Sequence, residues 1–178
     1  DAMLVSYGPV MLHEALTAAE LLEARGIDAA VVAMAWLDRV DPDWLAAQQP
    51  DALCLQELKC EDKAFPRAEL EAAGYRAVFN GQKTYNGVAI LSRHEPVDVQ
   101  RDIPGFADEQ KRVIAATLDG VRIVCGYFPN GQAVGSDKFA YKLQWLAALT
   151  GWLRGEIARH PALVLAGDFN IAPEDRDV

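Results

Sequence analysis

Cysteine and histidine are scarce in this sequence, three of each in 178 residues. An odd number of thiols cannot all pair, and Cys54 and Cys125 lie in apolar runs where a thiol acts as a small hydrophobe. Neither a CxxC nor a His-rich spacing points to zinc. These shortages argue against a disulfide framework and make a reducing, cytoplasmic setting the expectation. Long apolar runs are missing too. The longest, such as "AAVVAMAWL", fall far short of the roughly 20 residues a membrane-spanning helix needs, so no membrane partner is expected. Basic charge is in deficit, with a formal net charge of −9. That balance disfavours strong non-specific affinity for nucleic acid, although it leaves room for a local basic rim. No internal repeat, low-complexity tract or linker is found.

An apolar share of 51% and this length suit one compact domain, 1–178, whose core stands without staples. The opening "AMLVSYGPVMLHEALTAAELLEARGIDAAVVAMAWL" reads strand, helix, strand. The helix is placed at 13–24, with Gly26 as its stop and the Gly-Pro pair ahead of it as a turn. A strand–helix–strand run with an apolar second strand predicts a right-handed parallel crossover. "DPDWLAAQQP" reads as a short helix begun at Asp41-Pro42 and stopped by Pro50, and "DALCLQE" as the next buried strand.

Farther along, the pattern changes to short strands with tight turns. "VIAATL-DG-VRIVCGYF" is the clearest hairpin. "SDKFAYKLQWLAALTGWLRGEIARH" is a long helix with a Ser-Asp start, its apolar face traced by Phe139, Leu143, Leu146, Leu149, Leu153 and Ile157. The strand "ALVLAGDFN" follows. The fold class is α/β: a mixed β-sheet with flanking helices, a parallel βαβαβ start followed by antiparallel hairpins, an incomplete four-layer sandwich.

Three polar groups close apolar strands: Glu57, then Tyr127 with Asn130, then Asp168 with Asn170. Strand ends are where ligand crevices open. A carboxylate at one strand end and an Asp-x-Asn at another form a hard-oxygen set suited to Mg²⁺, which takes one or two carboxylates plus waters and phosphate oxygens. Such a site can hydrolyse phosphate esters. Each residue also has a plain structural reading: a turn carboxylate, a strand tyrosine, an Asn-Gly turn. Lys59 and Lys63 read as a solvated face, Trp145 and Trp152 as packing, and His13, His94 and His160 as non-catalytic.

Taken together, "PDALCLQELKCEDKAFP", "YNGVAILSR", "GYFPN" and "GDFNIAP", in this order from about Asp43 to Val178, resemble the endonuclease/exonuclease/phosphatase family, and within it the exonuclease III group of abasic-site DNA endonucleases. The resemblance implies a four-layer α/β sandwich and Mg²⁺-dependent cleavage of DNA phosphodiesters. It assigns Glu57 to the metal, Tyr127 to the place beside the scissile phosphate, Asp168 to the water and Asn170 to the phosphate. Lys83, Tyr85, Asn86 and Asn130 would face DNA by the same resemblance.

Two departures shape the functional expectation. Family members begin with a strand ending in an aromatic-Asn pair, whereas "VVAMAWLDRVDP" has no Asn; Asp38 is the one candidate substitute. Residues 1–46, through "LVSYGPVMLHEALTAAELLEARGID", instead resemble the C-terminal domain of transketolase-like enzymes, in a part that does not hold thiamine diphosphate, so that cofactor is not expected. The later family half, with its further Asp and its Ser-Asp-His ending, is not found before Val178. A chimera of a 1–46 segment with a 47–178 nuclease half is therefore expected. Its leading function is a non-catalytic folded scaffold. The alternative is a residual Mg²⁺-dependent phosphodiesterase with strongly reduced activity, binding Mg²⁺ and DNA weakly. An exposed sheet or helix face makes a homodimer the further expectation.

Overall fold

A computed structural model of the chain describes residues 2–6, 9–33 and 42–171. The chain divides into two compact units, residues 1–48 with 172–178, and residues 49–171. Asp38 lies outside the described residues.

In the first unit, β1 (Ala2–Ser6) and β2 (Ala29–Ala33) pair in parallel, from Ala2 opposite Ala29 to Ser6 opposite Ala33. The parallel pairing requires a crossover, and α1 (Pro9–Glu23) supplies it. This helix begins four residues earlier than the apolar spacing suggests. Pro9 is its first residue, because proline at the first helical position gives up an N–H that has no helical partner anyway. Its end matches the expected glycine stop. Gly26 has φ +77, its N–H donates to Glu23 O at 2.8 Å, and Ile27 N–H donates to Leu22 O at 3.1 Å, the paired bonds of a Schellman cap. α2 (Pro42–Gln48) repeats the proline start, and Gln49 leaves it with φ 48 before Pro50.

The second unit holds two sheets and flanking helices. One sheet has the order β3-β5-β4, with β3 (Ala52–Gln56), β4 (Arg76–Asn80) and β5 (Val88–Ser92) all antiparallel. The other has the order β6-β7-β8-β9, with β6 (Val97–Arg101), β7 (Val113–Leu118), β8 (Val121–Tyr127) and β9 (Leu163–Asp168). The expected βαβαβ start is thus parallel only through β2. β3 finds its partner in β5, an all-buried strand between two others, and lies in a different sheet from β2.

The Asp-Gly hairpin forms as read. Asp119 and Gly120 both take positive φ, the backbone that a two-residue type I′ turn needs. The apolar run of β7 is continuous because both of its faces are covered. Ile114, Ala116 and Leu118 meet Val88, Ile90, Ile123 and Cys125 in one core. Val113 and Ala115 turn the other way, to Val124, Phe128, Trp145 and Leu149.

The second core is where the long helix α4 (Asp137–Arg159) docks. Ser136 caps it, its hydroxyl accepting from Phe139 N–H at 3.1 Å. The helix also carries the chain across so that β9 can lie parallel to β8. Its buried face keeps Leu149, with Leu146 and Leu153 against the same core, but is turned from the expected one at its edges. Trp145, Leu149 and Glu156 are buried, whereas Leu143 and Ile157 are exposed. Two tryptophans decide this rotation, since aromatic rings bury more area than any leucine. Trp145 packs edge-on to Phe128, centroids 4.9 Å apart, and Trp152 joins the same cluster. Both pack as their sequence context leads one to expect.

Candidate active site

Strand direction brings the polar strand ends together. β8 and β9 run parallel with Tyr127 opposite Asp168, so both reach one rim of the unit. β3 ends at that rim as well, because the Tyr127 hydroxyl donates to Glu57 Oε1 at 2.7 Å across the inter-sheet core. The other carboxylate oxygen, Oε2, is 2.7 Å from the Lys59 ammonium. These two contacts, Lys59 first and then Tyr127, hold the Glu57 carboxyl below its ordinary value, and so keep it anionic. Burial, followed by the bond to Glu57, pushes the Tyr127 phenol well up, and it stays a neutral donor.

The backbone that presents Glu57 is unusual. Glu57 and Lys59 both sit in the left-handed region, at φ 55 and φ 53. Such conformations persist only when their surroundings over-determine them. Here the loop before β5 does so: Leu58 N–H donates to Gly87 O at 3.3 Å, Lys59 N–H to Asn86 O at 3.0 Å, and Thr84 N–H to Lys59 O at 3.3 Å. Gly87, at φ +89, approaches so closely that a Cβ there would lie 2.9 Å from Leu58 Cβ.

Asp168 and Asn170 form a compact turn. Asn170 N–H donates to Asp168 Oδ1 at 3.0 Å, and the Asn170 amide donates to Asp168 Oδ2 at 3.1 Å and to Phe128 O at 3.0 Å. Lys142 reaches from α4 to donate to Asn170 O. Gly167 lets the turn begin: its φ is +139, and a Cβ would stand 1.9 Å from Gly126 O.

The residues expected to face DNA divide into two kinds. Lys83 and Tyr85 are exposed on the loop that clasps residues 57–59, Tyr85 at 69%. Asn130 is also exposed, its Oδ1 accepting from Gln132 N–H at 2.8 Å. Asn86 is buried and donates to Gln82 Oε1 at 2.9 Å. Of the histidines, His94 follows β5 and His160 follows α4, both at the end of the sandwich opposite Glu57.

Reading the sequence missed three neighbours of this rim. Lys59 reads as solvated surface, and its spacing of two from Glu57 is the available signal of the ion pair. Arg112 lies 4.7 Å from the Tyr127 ring centre and donates to Tyr127 O at 3.1 Å. Its place follows from strand pairing between β7 and β8, which no local motif announces. Lys142 likewise depends on where α4 docks. Among the described residues, no three His, Cys, Asp or Glu side chains are arranged to hold a metal ion, and no helix is long and apolar enough to cross a membrane.

Residues 40–178 match the model of the endonuclease/exonuclease/phosphatase family. The chain belongs to this family. It is 38% identical over 136 residues to exodeoxyribonuclease III of Haemophilus influenzae, an overlap that is 73% of this chain and 51% of that protein. It is 35% identical over 150 residues to the DNA repair nuclease APEX1 of Danio rerio, covering 81% and 47% respectively. The chain spans about half the length of the curated relatives it matches. Among solved structures, a 3'-5' exonuclease from Neisseria meningitidis superposes with a TM-score of 0.70 at 43% identity, over 97% of this chain and 59% of that one. An AP endonuclease from Archaeoglobus fulgidus gives 0.73 at 32% identity, over 99% and 59%. Those alignments agree with the two sheets and flanking helices of this family fold.

Proposed function

We propose that this chain carries part of a metal-dependent DNA phosphodiesterase site. In this reading Glu57 holds a divalent cation, Asp168 orients the attacking water, and Asn170 and Tyr127 hold the phosphate. The observation that supports it best is the convergence of three strand ends, with Tyr127 bonded to Glu57 and laddered to Asp168. The donor chemistry fits Mg²⁺. Glu57 offers an ionised hard oxygen, and the ion's remaining positions suit water and phosphate oxygens. Bound there, the cation would polarise the phosphoryl group. For their part, the chain's own groups position. Asp168 is an acceptor at the rim for a water proton, and Asn170 is anchored to Phe128 O, beside the Phe128–Trp145 core.

The DNA-acting relatives support the substrate class. Lys83, Tyr85 and Asn130 are the exposed candidates for backbone contact, and Asn86 would shape their loop. Turnover is proposed to be slow, since Glu57 is the one carboxylate this reading gives the cation, and Lys59 already neutralises part of its charge. The absence, among the described residues, of three grouped His, Cys, Asp or Glu side chains favours the second reading, a folded scaffold without turnover. Finer proposals accompany both: that residues 1–46 derive from a transketolase-like segment, making the chain a chimera, and that it self-associates through an exposed face. Light scattering checks the latter against the 19.5 kDa of one chain.

The test is cleavage of an abasic-site duplex with and without Mg²⁺. Wild type should cleave slowly and only with the cation, and Glu57→Gln and Asp168→Asn should each lower the rate by about 10²–10³. Cleavage that both substitutions leave unchanged would refute the reading, and absence of any cleavage favours the scaffold.

A further inference from the structure

We propose that Arg112 is a positioning residue of the candidate site: it holds the Tyr127 ring in the pose that meets Glu57, and is itself held by a strap running to α4. The inference rests on the reading of Tyr127 and Glu57 as site residues and adds what sets their geometry.

Arg112 touches Tyr127 in three ways. Its guanidinium lies over the ring, 4.7 Å from the centroid. One amino group of the guanidinium donates to Tyr127 O at 3.1 Å, and the Arg112 carbonyl accepts from Tyr127 N–H at 2.7 Å. A cation over an aromatic face is attracted by the ring quadrupole, so this contact favours one setting of the ring plane. The hydroxyl at the tip of that ring then donates to Glu57 Oε1 at 2.7 Å.

The guanidinium is tied down in turn. Arg112 Nε donates to Gln110 Oε1 at 2.8 Å, and Gln110 N–H donates to Asp108 Oδ1 at 2.9 Å. The other Asp108 oxygen accepts from the Tyr141 hydroxyl at 2.7 Å, and Tyr141 belongs to α4. The strap thus fastens the approach to β7 to the long helix, and its last link is the group lying on Tyr127. A planar fork can donate in two directions while its face rests on a ring, whereas a lysine keeps the charge and loses the fork. Hence Arg112→Lys separates positioning from a simple charge contact with the phosphate, which a lysine supplies as well.

The experiment compares the full chain with Arg112→Lys, Arg112→Met, Tyr141→Phe and Glu57→Ala, each shown to be folded by a thermal melt. The first readout is the ¹³Cζ resonance of Tyr127 in chain carrying labelled tyrosine, taken at one neutral pH and assigned by its loss in Tyr127→Phe. A phenol that donates to a carboxylate resonates downfield of one that does not, so Glu57→Ala sets the unbonded reference. Both Arg112 variants should move the signal most of the way to that reference. Tyr141→Phe, which cuts the strap at its far end, should move it the same way by less. The second readout is Mg²⁺-dependent cleavage of an abasic-site duplex. Both Arg112 variants should lower kcat by about 10–100-fold, the usual loss when a group that orients a metal-site residue is removed, with KM little changed. Adding Tyr127→Phe to Arg112→Met should cost no more than Tyr127→Phe alone, because a residue acting through Tyr127 then has nothing left to position. A Tyr127 signal that keeps its wild-type place in Arg112→Lys and Tyr141→Phe overturns the inference. So does cleavage in which Arg112→Lys matches wild type while Arg112→Met raises KM alone, the pattern of a direct phosphate contact. A wild-type chain that does not cleave removes the functional reading only, because the resonance still decides whether Arg112 sets the pose of Tyr127.

Discussion

Replacing Glu156 with Gln should destabilise the 49–171 unit more than any other single charge change on α4. Glu156 and Arg122 are 1% and 2% exposed, and Arg122 Nε donates to Glu156 Oε2 at 2.7 Å. Trp152 Nε1 donates to Glu156 Oε1 at 3.0 Å, and Arg159 reaches the same oxygen. Gln keeps the shape and, with its oxygen toward Trp152, an acceptor there, but its NH2 then faces the Arg122 donor, so both the charge and that hydrogen bond are lost. Arg122 would then be buried without its carboxylate. Breaking such a pair costs about 3–5 kcal/mol. The lower end applies here, because Arg122 keeps bonds to Asp98 O at 2.5 Å and to Thr117 Oγ1 at 3.4 Å. A loss of about 3 kcal/mol lowers the melting temperature of a unit this size by roughly 10 °C. Urea unfolding followed by circular dichroism and by tryptophan emission reads it, with Trp152 at the perturbed spot. The double variant R122M/E156L should recover most of the loss, since a packed apolar pair removes the stranded charge as well. A loss below about 1 kcal/mol for Glu156→Gln, or a double variant as unstable as the single one, would refute the argument. Arg122 is the second residue of β8 and Tyr127 its last, about 17 Å apart along the strand. Metal binding by the folded variant should therefore match wild type.

Three further outcomes follow from single contacts. Gly167→Ala places a methyl 1.9 Å from Gly126 O at a φ of +139, and should cost more than about 2 kcal/mol in urea unfolding; a smaller loss means β8 and β9 can separate there. Ser136→Ala removes the cap of α4 and should cost about 1 kcal/mol in the same assay, with no change in cation affinity. For Glu57→Gln, the sign comes from a carboxyl whose folded value lies below the ordinary 4.5. Its ionised form stabilises the fold fully above that ordinary value, and the contribution is lost as pH falls through the lowered folded value. The gap in melting temperature between wild type and the variant should thus be constant near neutral pH and close in acid; a gap that widened in acid would contradict it.

How far the sequence discloses this molecule depends on whether a feature is local. The Asp119-Gly120 hairpin, the glycine cap after α1 and the Ser136 cap are set by a few adjacent residues, and they form where their chemistry puts them. Glu57, Tyr127 and Asp168 were legible as strand ends because each follows an apolar run, and their meeting at one rim follows from strand direction. Sheet membership was not legible. β3 reads equally well as the parallel neighbour of β2 or the antiparallel neighbour of β5, and only the packing of buried β5 against β7 distinguishes them. The buried face of α4 is legible only in part, for a related reason: Leu146, Leu149 and Leu153 meet the core, whereas Leu143 and Ile157 do not. Its leucines are spaced for one face, but Trp145 and Trp152 bury more area and rotate the helix, and Glu156 comes inward because Arg122, 34 residues earlier, waits for it. The same nonlocality hides Lys59, Arg112 and Lys142. Their charges look like solvated surface until the strands assemble, and then they stand beside Glu57, Tyr127 and Asn170.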